Sequence, residues 1–161
     1  MTFSFIPATG EDIPALLALA HEASRLPQSH WDETYPNEEI LLEDIQLGCL
    51  YCICSEEALV GMISLGKAGE LTELPWPSGD NNACELSRLA LIPALQSKGL
   101  GLEVFRQALL FGRELGYTTF RLLVNRDFYR GIRIYEACGF KNVGAEELWG
   151  QKFFLYELTA E

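Results

Sequence analysis

A tyrosine and a glutamate are the side chains of this sequence best suited to proton transfer. Tyr135 lies near the end of an expected helix, within Ile134–Phe140. A phenol titrates near pH 10, slightly above a thiol, so it can donate a proton to a thiolate. Glu85 begins an otherwise apolar strand, whose two-residue period places Glu85, Ser87 and Leu89 on one face. Such an acid is a candidate general base, and a solvated glutamate at a strand end is the equally open alternative.

A glycine-containing loop is the third group with a chemical signature. Residues 96–101, Gln-Ser-Lys-Gly-Leu-Gly, follow the apolar run Leu86–Ile92 and precede a helical pattern. The first N–H groups of a helix lack internal partners, and the macrodipole adds roughly half a positive charge there. Gly99 and Gly101 have no Cβ, so a bulky anion can approach the backbone, and Lys98 adds a charge. The spacing predicts a phosphate site, with a ligand-free strand-to-helix turn as the alternative.

These motifs resemble the signature of the GNAT superfamily of acyl-coenzyme A N-acyltransferases. The loop of that family is Gln/Arg-x-x-Gly-x-Gly/Ala, after a strand ending near Leu-Ala-Val-x-Pro. The matching residues here are Gln96–Gly101 after Leu89–Pro93. The family ending Leu/Ile-Tyr-x-x-x-Gly-Phe is matched by Ile134–Phe140. The resemblance covers nearly the whole chain and is specific from Glu85 to Phe140.

The resemblance implies an acetyl-CoA-dependent N-acetyltransferase that uses no metal and acts by direct attack of a primary amine in a ternary complex. Tyr135 would then be the general acid toward the coenzyme sulfur, and Glu85 would deprotonate the amine. The coenzyme-binding residues it implies are Leu89, Ala90, Leu91, Gln96, Ser97, Lys98, Gly99, Leu100, Gly101, Leu102, Asn125, Phe128 and Tyr135.

The sequence departs from the family pattern at two positions. Phe128 stands seven residues before the tyrosine, where the family usually has an asparagine, and Asn125 lies three residues earlier. Leu102 stands where the family often has a basic or small residue. These departures keep open a second function, a catalytically silent acyl-CoA-binding module of the same fold. A dinucleotide-binding oxidoreductase fits worse, because it lacks a third glycine at Val104 and an acid for the ribose.

Length and composition indicate one folded domain over residues 1–161. Hydrophobic residues make up 48% and charged residues 22%, which is typical of globular proteins. The net charge of −11 argues against nucleic-acid or anionic-membrane partners and suits a cationic acceptor. No apolar stretch has the length of a membrane span, and the first residues lack the features of a signal peptide, so we expect a cytoplasmic protein. The acceptor, a small-molecule or peptide amine, is not identified, and a homodimer is left open.

The hydrophobic pattern predicts an α/β fold in which one mixed, mostly antiparallel sheet is flanked by helices. The element order is β-α-α-β-β-β-α-β-α-β, with one more strand left open. Strands are expected at 2–6, 50–54, 59–65, 83–92, 118–124 and 152–158, and helices from Asp12 and over 38–47, 100–115 and 127–138. The resemblance implies that strands 83–92 and 118–124 splay apart to admit the pantetheine arm.

Two segments are expected to form the walls of an acceptor site. Residues 24–38 and 66–82 are rich in Pro, Gly, polar and aromatic residues. The first contains His30, Trp31 and Tyr35, and His21 shortly precedes it. The five cysteines are irregularly spaced and are expected to be buried thiols rather than metal ligands; the closest are Cys49, Cys52 and Cys54.

Overall fold

The computed structural model describes residues 1–25, 31, 35–67 and 69–159, and its strands form one mixed sheet of seven. The strands are β1 Ser4–Pro7, β2 Leu50–Ser55, β3 Ala58–Gly66, β4 Cys84–Leu91, β5 Thr119–Asn125, β6 Lys141–Leu148 and β7 Gln151–Thr159. Their order in the sheet is β1-β2-β3-β4-β5-β7-β6. Only β4 and β5 pair in parallel, and the other neighbours are antiparallel. The predicted α/β mixed sheet is confirmed.

Five α-helices flank this sheet in the described part of the chain, and a short 3-10 helix, Gly10–Asp12, precedes the first of them. They are α1 Ile13–Ala23, α2 Glu38–Gln46, α3 Pro93–Ser97, α4 Gly101–Glu114 and α5 Tyr129–Ala137. The sequence pattern does not predict α3, because Pro93 there indicates only the end of a strand. A proline is equally suited to the first turn of a helix, and here it begins one. Gln96 and Ser97, expected in a loop, are therefore helical. None of the described helices is long and apolar enough to span a membrane.

The core lies on both faces of the sheet. On one face, Val104 and Phe105 of α4 pack against a cluster that includes Ile63 and Leu65 of β3. On the other face, α1 and α2 contribute Leu16 and Leu41, which pack with Leu50, Cys52 and Met62. Adjacent residues of β3 thus belong to opposite clusters, as the two-residue period of a strand requires.

Strands β4 and β5 diverge soon after they begin. Their register consists of two pairs, Cys84 with Phe120 and Glu85 with Arg121. From Leu86 onward, the backbone groups of β4 on the β5 side have no strand partner. The two strands therefore open a gap toward the end of β4 that leads into α3.

A β-bulge interrupts the alternation of side chains along β4. Ser87 pairs with Ser64 and Ala90 with Met62, so two residues of β4, Arg88 and Leu89, lie opposite one residue of β3. Arg88 takes the strained left-handed conformation at this point, with φ +50°. The predicted shared face of Glu85, Ser87 and Leu89 is therefore wrong, because Leu89 packs against the same apolar cluster as Leu86 and Leu91.

The strand that the sequence left open is β6, which pairs with β7 at the edge of the sheet. None of its residues is fully buried, so its hydrophobic pattern is weak. The cysteines are free; Cys49 and Cys52 are buried and Cys54 is half-buried, as expected.

Candidate functional site

The gap between β4 and β5 opens into a cavity of about 670 Å³. One wall is formed by residues 86–90 of β4 and the opposite wall by residues 122–125 of β5. Phe128, Tyr135 and Gln96 complete it. The cavity thus joins residues from both strands with α3 and α5. Six of the predicted site residues line it: Leu89, Ala90, Gln96, Asn125, Phe128 and Tyr135.

The backbone of β4 supplies polar groups to this cavity. Leu89 lies where β5 has already diverged, so its backbone groups on that side have no partner strand, whereas Ala90 pairs with Met62 of β3. Unpaired strand edges are unusual, and an extended ligand with amide groups can complete the pairing. The carbonyl of Leu91 is already bonded, because it accepts a hydrogen bond from Nε2 of Gln96 at 3.1 Å.

The two glycines after α3 have different roles. Gly99 is exposed with φ +69°, a conformation that favours glycine, and a Cβ there would have nothing within 4 Å. Gly101 begins α4, and a Cβ there would lie 3.2 Å from Cδ1 of Ile134 on α5. Gly99 is needed for its backbone angle, whereas Gly101 allows close packing against α5.

The rest of the predicted loop surrounds the start of α4. Leu100 and Leu102 are half-buried, while Ser97 and Lys98 are exposed. The hydroxyl of Ser97 donates to the carbonyl of Ala94 at 3.1 Å. The first amides of α4 have no partners within the helix, so this end favours an anion. The phosphate role of the loop remains a prediction.

Arg130 is a cavity residue that sequence reasoning missed. Its Nη1 donates to Oε1 of Gln96 at 3.2 Å, which places a positive charge beside the loop. A signal was present in the sequence, because Arg126, Arg130 and Arg133 occur close together in a chain of net charge −11. Such a cluster near a phosphate-type loop indicates an anion partner.

The ring of Tyr135 is held by other aromatic rings. Its centroid lies 5.0 Å from that of Phe105, 6.2 Å from Phe140 and 6.5 Å from Tyr156. Burial raises the pKa of Tyr135 to about 12, because the phenolate would lose its hydration. The phenol therefore keeps its proton at neutral pH while it lines the cavity, as a general acid must.

Gly131 makes room for two of the aromatic rings of the cavity. A Cβ at this position would lie 2.6 Å from Cδ2 and Cε2 of Phe128 and 3.4 Å from Cε2 of Tyr135. Any larger residue would displace the Phe128 ring. Residue type alone does not predict this contact, since a glycine within a helix is usually only unfavourable.

Asn125 lies in the cavity wall with its amide already bonded. Its Oδ1 accepts from the backbone N–H of Asp127 at 3.0 Å, and its Nδ2 donates to Oε1 of Gln151 at 3.1 Å. Phe128 follows immediately before α5. The end of β5 thus presents an amide and an aromatic ring to the same cavity.

The Glu85 carboxylate lies apart from Tyr135. The residue is only 7% exposed and lines a second, smaller cavity of about 220 Å³. Its carboxylate accepts hydrogen bonds from the N–H of Leu71 at 2.8 Å and of Gly69 at 3.2 Å, and from Oγ1 of Thr72 at 3.3 Å. The general-base role of Glu85 stays a prediction.

A buried ion-pair network forms the other end of the large cavity. Arg88 contacts Oδ1 of Asp44 and Oε1 of Glu70, each at 2.8 Å, and donates to the hydroxyl of Tyr35 at 3.1 Å. Burial disfavours the charge of Arg88, but the hydrogen bonds to Asp44 and Glu70 raise its pKa above the ordinary value. The side chain of Arg88 is 2% exposed and that of Glu70 is 48% exposed.

Two aromatic residues of the predicted acceptor walls also line this end. The rings of Trp31 and Tyr35 meet edge to face with centroids 6.3 Å apart. His21 is half-buried on α1 and is not among the lining residues, and His30 lies outside the described residues. Within the described ranges, no group of three or more His, Cys, Asp or Glu side chains is placed to hold a metal ion.

Comparisons with known proteins agree with this geometry. The profile of the acetyltransferase (GNAT) family matches residues 15–140. A comparison with curated proteins finds no match.

Among solved structures, a GNAT-family acetyltransferase from Streptococcus agalactiae has a TM-score of 0.79 at 19% identity, covering 99% of this chain and 96% of its own. The PaiA N-acetyltransferase of Thermoplasma acidophilum, solved with coenzyme A, has 0.69 at 23% identity, covering 99% of both chains. The yncA protein of Salmonella typhimurium, solved with its cofactor acetyl-CoA, has 0.69 at 16% identity, covering 100% and 95%. At these identities the similarity shows a shared fold.

Proposed function

The chain belongs to the acetyltransferase (GNAT) family, and we propose that it transfers an acetyl group from acetyl-CoA to a primary amine by direct attack in a ternary complex. The observation that supports this most is the position of Tyr135. Its protonated phenol lines the same cavity as the unpaired backbone of β4, where β4 and β5 diverge. A proton donor and a binding groove for an extended thioester thus share one site.

The residues present fit acetyl-CoA. The gap between β4 and β5 offers an extended ligand a free strand edge at Leu89. The start of α4, with the open backbone at Gly99, suits the pyrophosphate, and Lys98 and Arg130 supply positive charge. Two structures of the same fold were solved with acetyl-CoA or coenzyme A, which supports acetyl-CoA as the ligand.

Three parts of the chain would act on acetyl-CoA and the amine: the backbone of β4, the phenol of Tyr135 and the end of the cavity near Arg88. Acetyl-CoA supplies the acetyl group as a thioester. The backbone of β4 near Leu89 orients the arm, and oriented N–H groups can also stabilise charge on a carbonyl oxygen. Tyr135 holds a proton on its phenolic oxygen and can donate it to the leaving sulfur. The end of the cavity near Arg88 is left for the amine.

The test is a screen of amine acceptors with acetyl-CoA that follows the release of free thiol. We expect at least one amine to give thiol at a rate that depends on enzyme concentration, and calorimetry to show coenzyme A binding. Coenzyme A binding without thiol release from any amine would instead support the silent acyl-CoA-binding module, which the phenylalanine at position 128 had left open.

A further inference from the structure

Glu70 and Glu85 belong to one hydrogen-bonded unit beside the beginning of β4. The carboxylate of Glu85 accepts from the N–H groups of Gly69 and Leu71, the two residues that flank Glu70. Thr72 adds a third donor. The carboxylate of Glu85 therefore holds the 69–72 turn in place through three hydrogen bonds. Glu70 is the one residue of that turn that carries a carboxylate.

The side chains of these two glutamates face different cavities. Glu70 lines the large cavity together with Tyr135, whereas Glu85 lines the smaller one. Glu70 is half exposed and is oriented by Arg88, which contacts both of its oxygens, at 2.8 and 3.4 Å. Glu85 is buried, and three donors already occupy its oxygens. Of the two, Glu70 is the one that an acceptor in the cavity can reach.

From this arrangement we propose that Glu70 binds the acceptor and that Glu85 is a positioning residue, which holds the turn that presents Glu70. The inference rests on the proposed acetyltransferase function. It further assigns the acceptor to the amines that have a second positive charge, such as diamines and polyamines.

The charge of this end of the cavity supports a cationic acceptor. Among the described residues, its lining and network comprise three carboxylates, Asp44 and Glu43 on α2 and Glu70 on the turn, against one guanidinium, that of Arg88. Asp44 alone suffices to neutralise Arg88, so Glu70 and Glu43 leave an excess of negative charge. The rings of Trp31 and Tyr35 in the same wall suit a cation as well, through its attraction to aromatic faces.

The proton balance of the reaction explains why the second charge matters. The reacting ammonium first loses one proton to water, and its neutral nitrogen attacks the thioester carbonyl carbon. As the C–N bond forms and the C–S bond breaks, Tyr135 donates its proton to the sulfur. The nitrogen then gives up a second proton, which reprotonates Tyr135. One proton is released in total. The reacting nitrogen loses its charge, so only a second ammonium can stay bound to Glu70 throughout.

The test compares three acceptors of similar length, namely putrescine, aminobutanol and butylamine, on four proteins. These are the wild type, Glu70→Gln, Glu85→Gln and the matched control Glu73→Gln, an exposed residue of the same loop that lines neither cavity. We expect the wild type to prefer putrescine in kcat/KM by about ten-fold or more, the value of one charge-assisted contact. Glu70→Gln should raise KM for putrescine by a similar factor, abolish the preference and leave kcat within a few-fold.

Glu85→Gln should act in the same direction through the turn, because its amide cannot accept all three hydrogen bonds. It should raise KM for putrescine more than for butylamine and should retain the acidic limb of the pH–rate profile. Glu73→Gln should behave as the wild type. The half-exposed Glu70 can be replaced without threatening the fold, so Glu70→Gln decides the question even if Glu85→Gln does not fold.

Different failures have different meanings. Equal use of putrescine and butylamine by the wild type, or an unchanged preference in Glu70→Gln, would overturn the inference and leave the acetyltransferase function intact. A fall in kcat of about 10²–10⁴-fold in Glu85→Gln, with loss of the acidic limb, would make Glu85 the general base and would also overturn it. Absence of coenzyme A binding in the wild type would remove the proposed function itself, and the inference with it.

Discussion

The two ends of the large cavity differ in the chemical groups that surround them. At the end near α4, the free edge of β4 lines the cavity, and we expect a ligand to meet mostly backbone there, including the left-handed Gly99 and the first amides of α4. At the other end the groups are charged side chains, arranged around the buried guanidinium of Arg88. The first end suits a constant ligand, since backbone geometry changes little with sequence. The second can be altered by a few substitutions, as an acceptor site requires.

The difference also has an energetic side. A backbone site costs little stability when it is empty, because its polar groups remain partly hydrated. A buried ion pair contributes little net stability when complete but is costly to break, since one charge is then left without a partner. We call the end around Arg88 the proposed acceptor end and the end near α4 the proposed cofactor end. We expect substitutions at the proposed acceptor end to change both ligand binding and stability, and substitutions at the proposed cofactor end to change ligand binding alone.

The largest effect is expected from Arg88→Met. It would leave the carboxylate of Asp44, 2% exposed, without its partner, so the free energy of unfolding should fall by about 3–5 kcal/mol. Urea denaturation measures this directly. The matched control at the cofactor end is Arg130→Met, which removes an exposed arginine and should change stability by about 0.5 kcal/mol or less while weakening coenzyme A binding. Similar losses of stability in both variants would contradict the proposed difference between the two ends of the cavity.

The next largest effect is expected from Gly101→Asp, which places a carboxylate at the start of α4. Like-charge contact costs several kcal/mol, so the dissociation constant of coenzyme A should rise by about 100-fold or more. Gly101→Ala is the control for the added Cβ, which meets only the flexible end of Ile134 at 3.2 Å. If calorimetry shows the two variants binding equally, the pyrophosphate does not lie at this helix end.

The residues of the proposed cofactor end, near α4, could be picked out from the sequence because its motifs are local. The loop 96–101 and the ending around Tyr135 are short motifs, and Gln96 and Tyr135 line the same cavity. Two local details were missed. Pro93 begins α3, and Gly131 gives space to the ring of Phe128. Both depend on neighbours in space, which residue type alone does not reveal.

The sequence predicts acceptor walls at 24–38 and 66–82, and Trp31, Tyr35 and Glu70 of these segments line the cavity. The ion-pair network around Arg88 could not be predicted, because its contacts join distant parts of the chain. Arg88 and Asp44 are 44 residues apart, and Glu85 lies 14 residues from Leu71. The β-bulge at Arg88 also reversed the expected facing of Leu89. A period of two predicts faces only while a strand stays regular, and no residue type in this strand announced the irregularity.

A smaller effect, confined to catalysis, is expected from Tyr135→Phe. The ring contacts with Phe105 and Phe140 remain, so coenzyme A affinity should be unchanged while kcat falls by about ten-fold or more. The phenol is active in its protonated form, and its pKa of about 12 means that activity would be lost only as the pH rises through that value. Any alkaline limb below pH 11 should thus persist in the variant. Tyr117→Phe, outside the cavity, is the control; an unchanged kcat in Tyr135→Phe would reduce Tyr135 to a packing role.

The smallest effect is expected from Gly99→Ala, which separates backbone conformation from ligand access at the cofactor end. At φ +69° an alanine is strained by about 1 kcal/mol, so the free energy of unfolding should fall by that amount. The added Cβ would meet no protein atom within 4 Å, so nothing in the protein needs to move. If a ligand contacts the amides of α4 rather than Cα of this residue, coenzyme A binding should weaken by no more than a few-fold. A large loss of affinity without a loss of stability would instead place the ligand directly against Gly99, and the anion site would then extend from the helix start into the loop.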